Sequence, residues 1–352
     1  MSTHATESRE TADRRKIISA RDLSVTFDMD RGTSKVLNSV DMDIYDGEIV
    51  GIVGESGSGK SMFADALLNA VVEPGVATGE ITYTNREGES VDVLELEGED
   101  LRACRWEDIS MVFQGALSAF NPTKTIGAHF KETLSAHGAD KTEGMSHARQ
   151  LLGDLYLDPE RVLSSYPHEL SGGMKQRALI ALSLVLDPDI LVMDEPTAAL
   201  DLLMQRSIIK LLREIRDKYD LTMVFITHDL PLVARLADRL AVLYAFEFVE
   251  KGPTKEVLTN SAHPYTRELL NATPNISTPV EEMRPVEGSA PDPVNTPDGC
   301  SYHPRCPLAD GQCRRDEPPL ESVSENHETA CFHWEQASEE IPLATQEGAA
   351  DE

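Results

Sequence analysis

The run Gly54-Glu55-Ser56-Gly57-Ser58-Gly59-Lys60-Ser61 constrains this chain more than any other, because it satisfies G-x-x-x-x-G-K-S/T in a particular setting. Ahead of it, Glu48-Ile49-Val50-Gly51-Ile52-Val53 reads as a short buried strand. Behind it, Met62 to Val72 is apolar at helical spacing. Strand, glycine turn and helix start together form an anion site, since backbone N–H groups converge there and the helix dipole favours negative charge. Glycines let the backbone wrap a phosphate closely, Lys60 would reach β- and γ-phosphates, and the Ser61 hydroxyl would bind Mg²⁺. A merely structural glycine turn is the alternative for this motif taken alone.

Ile190-Leu191-Val192-Met193-Asp194-Glu195 is an apolar run ending in two carboxylates. Ligands of open α/β sheets lie beyond the carboxyl ends of strands, which puts Asp194 and Glu195 at the same anion. Two adjacent acids can divide the labour, Asp194 holding the Mg²⁺ shell while Glu195 orients and polarises a water. A strand that simply ends in solvated charge is the plainer alternative. Between these motifs, Leu170-Ser171-Gly172-Gly173-Met174-Lys175-Gln176-Arg177 opens an apolar-periodic helix running through Leu186. A hydroxyl and two glycines at a helix start make either a second anion site or an ordinary serine cap.

Together these residues resemble the ATP-binding subunit of ABC transporters. Ser171, Gly172 and Gly173, with Gln176 in the same run, are similar to that family's signature motif. Gln114 in Met111-Val112-Phe113-Gln114 looks like its Q-loop, Asp201 after Ala198-Ala199-Leu200 its D-loop, and His228 in Val224 to Asp229 its switch histidine. The resemblance implies an α/β fold of the P-loop NTPase type, with a mostly parallel core sheet, an antiparallel β subdomain and a helical subdomain at about 115–170. It implies ATP and Mg²⁺ as ligands, with Ser61, Gln114 and Asp194 around the metal and His228 at the γ-phosphate. It also implies a head-to-tail homo- or heterodimer in which the signature residues contact the nucleotide held by the partner. Family members usually stack adenine on an aromatic ring ahead of the phosphate loop. Phe27 is the only aromatic in Val25 to Arg31; an ordinary core-strand role for it, with Arg31 stacking instead, is the alternative.

Charge narrows the partners. Against 61 acidic residues stand 32 basic ones, a formal net charge of −29. Phosphate-backbone binding needs a basic footprint, so nucleic acid is not an expected partner, and direct adsorption to anionic lipid is disfavoured. Such a surface suits high internal salt: at about 1 M the Debye length falls to about 3 Å and acidic self-repulsion is screened. An ordinary acidic surface with an acidic tail is the alternative to this halophilic reading. The longest uncharged apolar run, Ala178 to Leu186, is far short of the roughly 20 residues a bilayer demands. Met1 to Lys16 carries no apolar leader core and reads as a loose tail. A cytoplasmic protein is expected on these grounds, with any membrane association made through partners; the family resemblance implies the cytoplasmic face of the membrane.

Ile17 to Thr26 and Val36 to Ile44 read as paired antiparallel strands around a polar turn at 28–34, and 78–110 as strand, acidic turn and short helix. Alternating helices near 172–186, 203–218 and 230–237 with strands near 189–194 and 221–227 predict a parallel sheet covered by helices. The main domain is expected over 17–273, a Pro- and Glu-rich linker over 274–298, a cysteine-rich extension over 299–335 and an acidic disordered tail over 336–352. Four of the five cysteines, Cys300, Cys306, Cys313 and Cys331, fall in that extension; reduced thiols in this number favour a metal site. Four thiolates suit an iron–sulfur cluster or Zn²⁺, and His303, His327 and His333 leave a mixed zinc site open. Cys104 reads as a small buried hydrophobe.

His263-Pro264-Tyr265-Thr266-Arg267-Glu268-Leu269-Leu270 and Gly299-Cys300-Ser301-Tyr302-His303-Pro304-Arg305-Cys306-Pro307 are similar to the C-terminal extension of the dipeptide/oligopeptide branch of that family. In that branch the cysteines can hold a 4Fe-4S cluster. The implied activity is ATP hydrolysis energising import of peptides or related small solutes, with membrane permease subunits and an extracellular solute-binding protein as partners. A soluble ATPase with a non-transport task, in cofactor assembly or phosphonate metabolism, is the alternative.

Overall fold

Alternating apolar and polar residues from Ile17 onward fold into a long antiparallel hairpin, β1 (Lys16–Met29) and β2 (Gly32–Tyr45). The structure is a computed structural model and describes residues 14–113, 115, 119–198, 201–272 and 288–343. Pairing continues to Asp28↔Thr33 and Met29↔Gly32, so the turn is tighter than the expected 28–34 stretch. The wholly buried β3 (Ile49–Val53) follows, then α1 (Lys60–Leu67), β4 (Gly75–Thr84) and β5 (Ser90–Asp92). β4 adds to β1 and β5 to β4, completing a four-stranded antiparallel sheet.

α2 (Gly98–Ala103) leads into β6 (Ile109–Val112). The expected helical stretch holds α3 (Ile126–Ala136), α4 (Lys141–Asp154) and α5 (Pro159–Ser164). Each begins where a side-chain oxygen accepts from an otherwise orphaned N–H, on Thr125, Asp140 and Asp158 respectively. Next come α6 (Gly172–Ser183), β7 (Ile190–Asp194), α7 (Leu202–Tyr219), β8 (Thr222–Ile226) and α8 (Leu230–Val233), the last shorter than expected. The hairpin β9 (Arg239–Tyr244) and β10 (Glu247–Pro253) is followed by α9 (Thr254–Thr259) and α10 (Pro264–Asn271). Among the described residues no helix is long and apolar enough to cross a membrane.

Part of the expected linker, 274–287, lies outside the described residues. The remainder is tied to the first hairpin: Lys35 N–H donates to the Pro293 carbonyl at 2.9 Å, and Arg31 forks onto Asp292 at 2.8 and 3.0 Å. The extension then supplies β11 (Glu321–Ser324), β12 (His327–Thr329) and α11 (Trp334–Glu340). α11 occupies the start of the expected disordered tail. Burial of Ala337 and Ile341, and a 2.6 Å bond from Arg267 to the Ile341 carbonyl, hold it in place. Residues 344–352 of that tail, and 1–13 of the N-terminal one, lie outside the described residues.

The larger sheet has the order β11-β12-β10-β9-β3-β8-β7-β6, and β9, β3, β8, β7 and β6 run parallel. Side chains alternate between two cores. Ile49, Val53, Leu191, Met193, Met223 and Phe225 pack with α3 to α7, while Val50, Ile52, Ile190, Val192, Val224 and Ile226 pack with α1 and the smaller sheet. Cover on both faces explains why these strands read as unbroken apolar runs. Cys104 is 2% exposed within the second core, as expected. Strand order reverses at β3, which sits between β8 and β9, and the carboxyl ends of these strands open on one crevice.

α10 starts on His263, whose Nδ1 accepts the Tyr265 N–H at 3.0 Å while the ring also bonds the backbone of Ala330. Burial holds this imidazole neutral and drives its pKa from 6.5 down to about 3, opposed by the bond to Ala330. Because folding lowers this pKa, the stabilisation is present above the unfolded value of 6.5 and is lost as pH falls toward 3. We expect urea-melt stability to decline below about pH 6.5, with His263 contributing up to about 1.4 kcal/mol per pH unit. His263→Asn, which keeps a capping oxygen, should flatten that decline; an identical slope in the variant would exclude His263 as its source.

Candidate active site

Two glycines of the phosphate loop are dictated by close approach. Gly54 has φ +155° and a Cβ there would lie 2.1 Å from the Leu243 carbonyl oxygen; at Gly59, with φ +108°, it would lie 2.5 Å from that of Val36. No side chain caps α1 and no acidic residue sits in its first turn, so its leading N–H groups are left for a ligand. Lys60 folds back along the loop, its Nζ 2.9 Å from the Gly54 carbonyl and 2.8 Å from that of Glu55. Burial lowers the Lys60 pKa, and Glu195, Asp194 and Glu55 oppose that shift by Coulombic attraction.

Asp194 ends β7 as expected and is 3% exposed. Burial raises its pKa, while a bond from Ser61 and the charge of Lys60 pull it down. Its Oδ1 is buried with no hydrogen-bond partner. A hydroxyl and a carboxylate already facing each other, with one buried oxygen unused, form the hard donor set that Mg²⁺ takes. Glu195 holds a left-handed backbone (φ +48°) fixed by its N–H on the Ile226 carbonyl at 3.0 Å. Its Oε1 lies 2.8 Å from His228 Nδ1, and the carboxylate acceptor assigns the proton to that nitrogen. Ser56, Gly57, Gly59, Lys60, Ser61, Glu195 and His228 thus share the wall of one cleft of about 610 Å³.

Other expected residues divide. Ser58 is buried behind the loop, its N–H on the Glu55 carbonyl at 3.2 Å. Gln114 lies outside the described residues, as do Ala199 and Leu200 beside Asp201. Asp201 caps α7 through bonds to the N–H groups of Leu203 and Met204 at 3.0 and 2.9 Å. Ser171 is exposed and caps α6, with Gly172 half-buried next to it. Gly173 is buried against Met204, and Gln176 is only 1% exposed. Three residues apart on α6, both are buried in the single chain. Phe27 is not among the residues walling the cleft; its ring packs against Gly75 on the core side, and Val36 takes the wall position. Arg31, the alternative stacker, is engaged by Asp292. Arg239 pairs with the fully buried Glu48 at 2.9 Å and lies 5.1 Å over the Tyr45 ring, a structural role.

Two residues that sequence reasoning left without a role reach the loop from the C-terminal third, and a third, Tyr302, packs beside them. Tyr265 Oη accepts the Glu55 N–H at 3.0 Å. Arg305 forks onto the Glu55 carboxylate at 3.0 and 2.8 Å. Tyr302 is 1% exposed and packs edge-on against Tyr244 with ring centroids 5.1 Å apart. The signal was present in the His-Pro-Tyr and Ser-Tyr-His-Pro-Arg runs, whose aromatics and arginine are unusual in a polar segment. Glu55, expected to bind nucleotide, therefore turns its side chain toward the extension.

The four extension cysteines converge. Cys300 N–H donates to the Cys313 carbonyl at 2.8 Å, and the charges of Cys300, Cys306 and Cys313 act on Cys331, those of Cys300 and Cys313 on Cys306, and that of Cys313 on Cys300. Burial is the main reason the Cys306 thiol rises to about 11 and that of Cys331 to about 12. Among the described residues, the one set of three whose ligand atoms all lie within 4.8 Å of one another is Asp310, Cys313 and His333. His327 is instead committed to the buried Glu250 at 2.8 Å, and His303 Nδ1 to the Cys300 carbonyl at 3.0 Å.

Residues 37–198 match the family model of the ABC transporter, and 249–313 that of the oligopeptide/dipeptide transporter C-terminal region. A dipeptide transport ATP-binding protein of Caldanaerobacter subterraneus is 39% identical, covering 91% of this chain and 98% of that one. The Salmonella typhimurium oligopeptide transport ATP-binding protein is 37% identical over 90% of this chain and 93% of its own. The dimeric structure of MJ0796, a bacterial ABC transporter cassette, superposes with a TM-score of 0.58 at 28% identity, covering 67% of this chain and 98% of that one. Matches running nearly end to end in both chains settle the family: this is an ABC transporter ATPase, of the group that carries the oligopeptide/dipeptide C-terminal region.

Proposed function

We propose that the chain energises import of dipeptides, oligopeptides or related small solutes. In this reading it pairs with a second ATPase subunit, identical or a sister chain, and docks on permease subunits at the cytoplasmic face of the cell membrane. An extracellular solute-binding protein then delivers cargo to the permease. The observation that carries the reading is that the segment matched to the oligopeptide/dipeptide region is bonded into the phosphate loop itself. The names of its relatives favour this over a non-transport ATPase.

In the cleft, Lys60 and the start of α1 would hold the triphosphate, while Ser61 and Asp194 would hold Mg²⁺, with Gln114 joining them by family resemblance; an ion held there would supply charge neutralisation of the phosphates. Glu195, oriented by His228, polarises the attacking water. Exposed Ser171, with half-buried Gly172 and buried Gly173 behind it at the start of α6, meets in this reading a nucleotide carried by the second subunit. Asp201 stands at the start of the neighbouring helix.

The converging thiols support a 4Fe-4S cluster on Cys300, Cys306, Cys313 and Cys331. A single Zn²⁺ at about 2.3 Å from each sulfur needs sulfurs within about 4 Å of one another; the one set of three within 4.8 Å among the described residues, Asp310, Cys313 and His333, contains one of the four cysteines and suits only the mixed zinc alternative. A multi-iron cluster spans wider-set thiolates. The acidic surface supports a halophilic setting.

Glu195→Gln should lower kcat by roughly 10²–10⁴-fold with nucleotide affinity retained; unchanged turnover removes Glu195 from the water-polarising role. Protein purified without oxygen should be brown with broad visible absorbance and carry iron, whereas stoichiometric zinc without iron overturns the cluster. Melting temperature should rise between dilute buffer and about 1 M KCl; equal values remove the halophilic reading.

A further inference from the structure

The fork between Arg305 and Glu55 joins two parts of the chain 250 residues apart, and it does so inside the phosphate loop. Arg305 is 7% exposed and Glu55 22%, so this is not a solvated surface pair. The guanidinium lies 5.5 Å over the Tyr244 ring and 5.8 Å over that of Tyr302, and it also donates to Tyr244 Oη at 3.3 Å. Stacked and forked, it has little freedom to leave. Tyr265 holds the Glu55 backbone N–H at the same time, so both ends of this one loop residue are gripped from the C-terminal third.

Glu55 matters because its carboxylate acts electrostatically on Lys60, the amine that must serve the triphosphate. An unpaired carboxylate there competes for Lys60 and repels phosphate oxygens. We infer that Arg305 is a positioning residue for nucleotide binding: it neutralises Glu55 and fixes the first half of the phosphate loop from the cysteine-bearing extension. The extension is thereby part of the ATP site of its own chain. Two consequences are separable. Loss of the fork weakens binding through charge, and loss of the anchor weakens it through loop disorder.

The inference rests on nucleotide occupying the glycine loop, and Lys60→Ala tests that reading on its own. Full-length protein is assayed for Mg·ATP affinity with a fluorescent ATP analogue, and for KM and kcat. Arg305→Ala should raise both the dissociation constant and KM about tenfold, with kcat within about twofold of wild type. Adding Glu55→Gln to Arg305→Ala should recover most of the lost affinity, because the charge Arg305 offsets is then gone. A purely structural contribution to the extension predicts no such recovery. Should Arg305→Ala fail to fold, Arg305→Lys keeps the charge without the fork and should weaken binding about threefold through the lost anchor, with no relief from Glu55→Gln because the charge is still offset. Unaltered affinity in the Arg305 variant, or a double variant of Arg305→Ala with Glu55→Gln as weak as Arg305→Ala alone, overturns the inference. If those results appear while Lys60→Ala abolishes binding, the loop remains the nucleotide site and only the role of Arg305 fails. If Lys60→Ala binds nucleotide like wild type, the site itself has been misread.

Discussion

A loop that offers converging N–H groups to an anion cannot also satisfy them internally, so its shape has to be imposed by whatever surrounds it. Here the imposition is tight. The Leu243 carbonyl at the end of β9 presses against Gly54, and the Val36 carbonyl of β2 presses against Gly59. Each contact leaves room for hydrogen and nothing larger. The two sheets meet at this loop, and the cleft exists because both are locked onto the same few glycines.

Much of the arrangement was legible in the primary structure because its determinants are local. A buried strand, a glycine run and an amphipathic helix lie consecutively, and Asp194 and Glu195 follow directly on their strand. The β7–β8 alternation was legible for the same reason: each strand is apolar on both faces. What escaped was long-range. Arg305 is bonded to a residue near position 50, and no periodicity links them. β11 and β12 are three or four residues of polar sequence, below what alternation can identify, and they form because β10 offers an edge. The burial of Gln176 was not legible, because a motif gives spacing, whereas burial depends on how α6 packs. α11 was hidden by its acidic composition, although Ala337 and Ile341 carry its contacts.

Charge is handled differently inside and out. The acidic excess is spread over the surface, but the buried Glu250 is fully committed. Glu250 is 0% exposed and accepts from the Ala262 and His263 N–H groups and from His327. One carboxylate thus ties β10, the approach to α10 and β12 together, which makes it a structural counterpart of Glu55 in the loop. A buried charge left without these donors would cost several kcal/mol, on the order of 3–5. Replacing any single donor therefore disturbs all three elements at once.

β12 pairs with β10 through Glu250↔Thr329 and Lys251↔Glu328. During synthesis β10 emerges from the ribosome some seventy residues before its neighbour, so the nascent ATPase core carries an unsealed backbone border while the remainder is still being translated. Premature termination before 327 leaves that border permanently bare and ready to template onto another molecule. For this chain, a late stop codon is consequently a solubility lesion as well as a truncation.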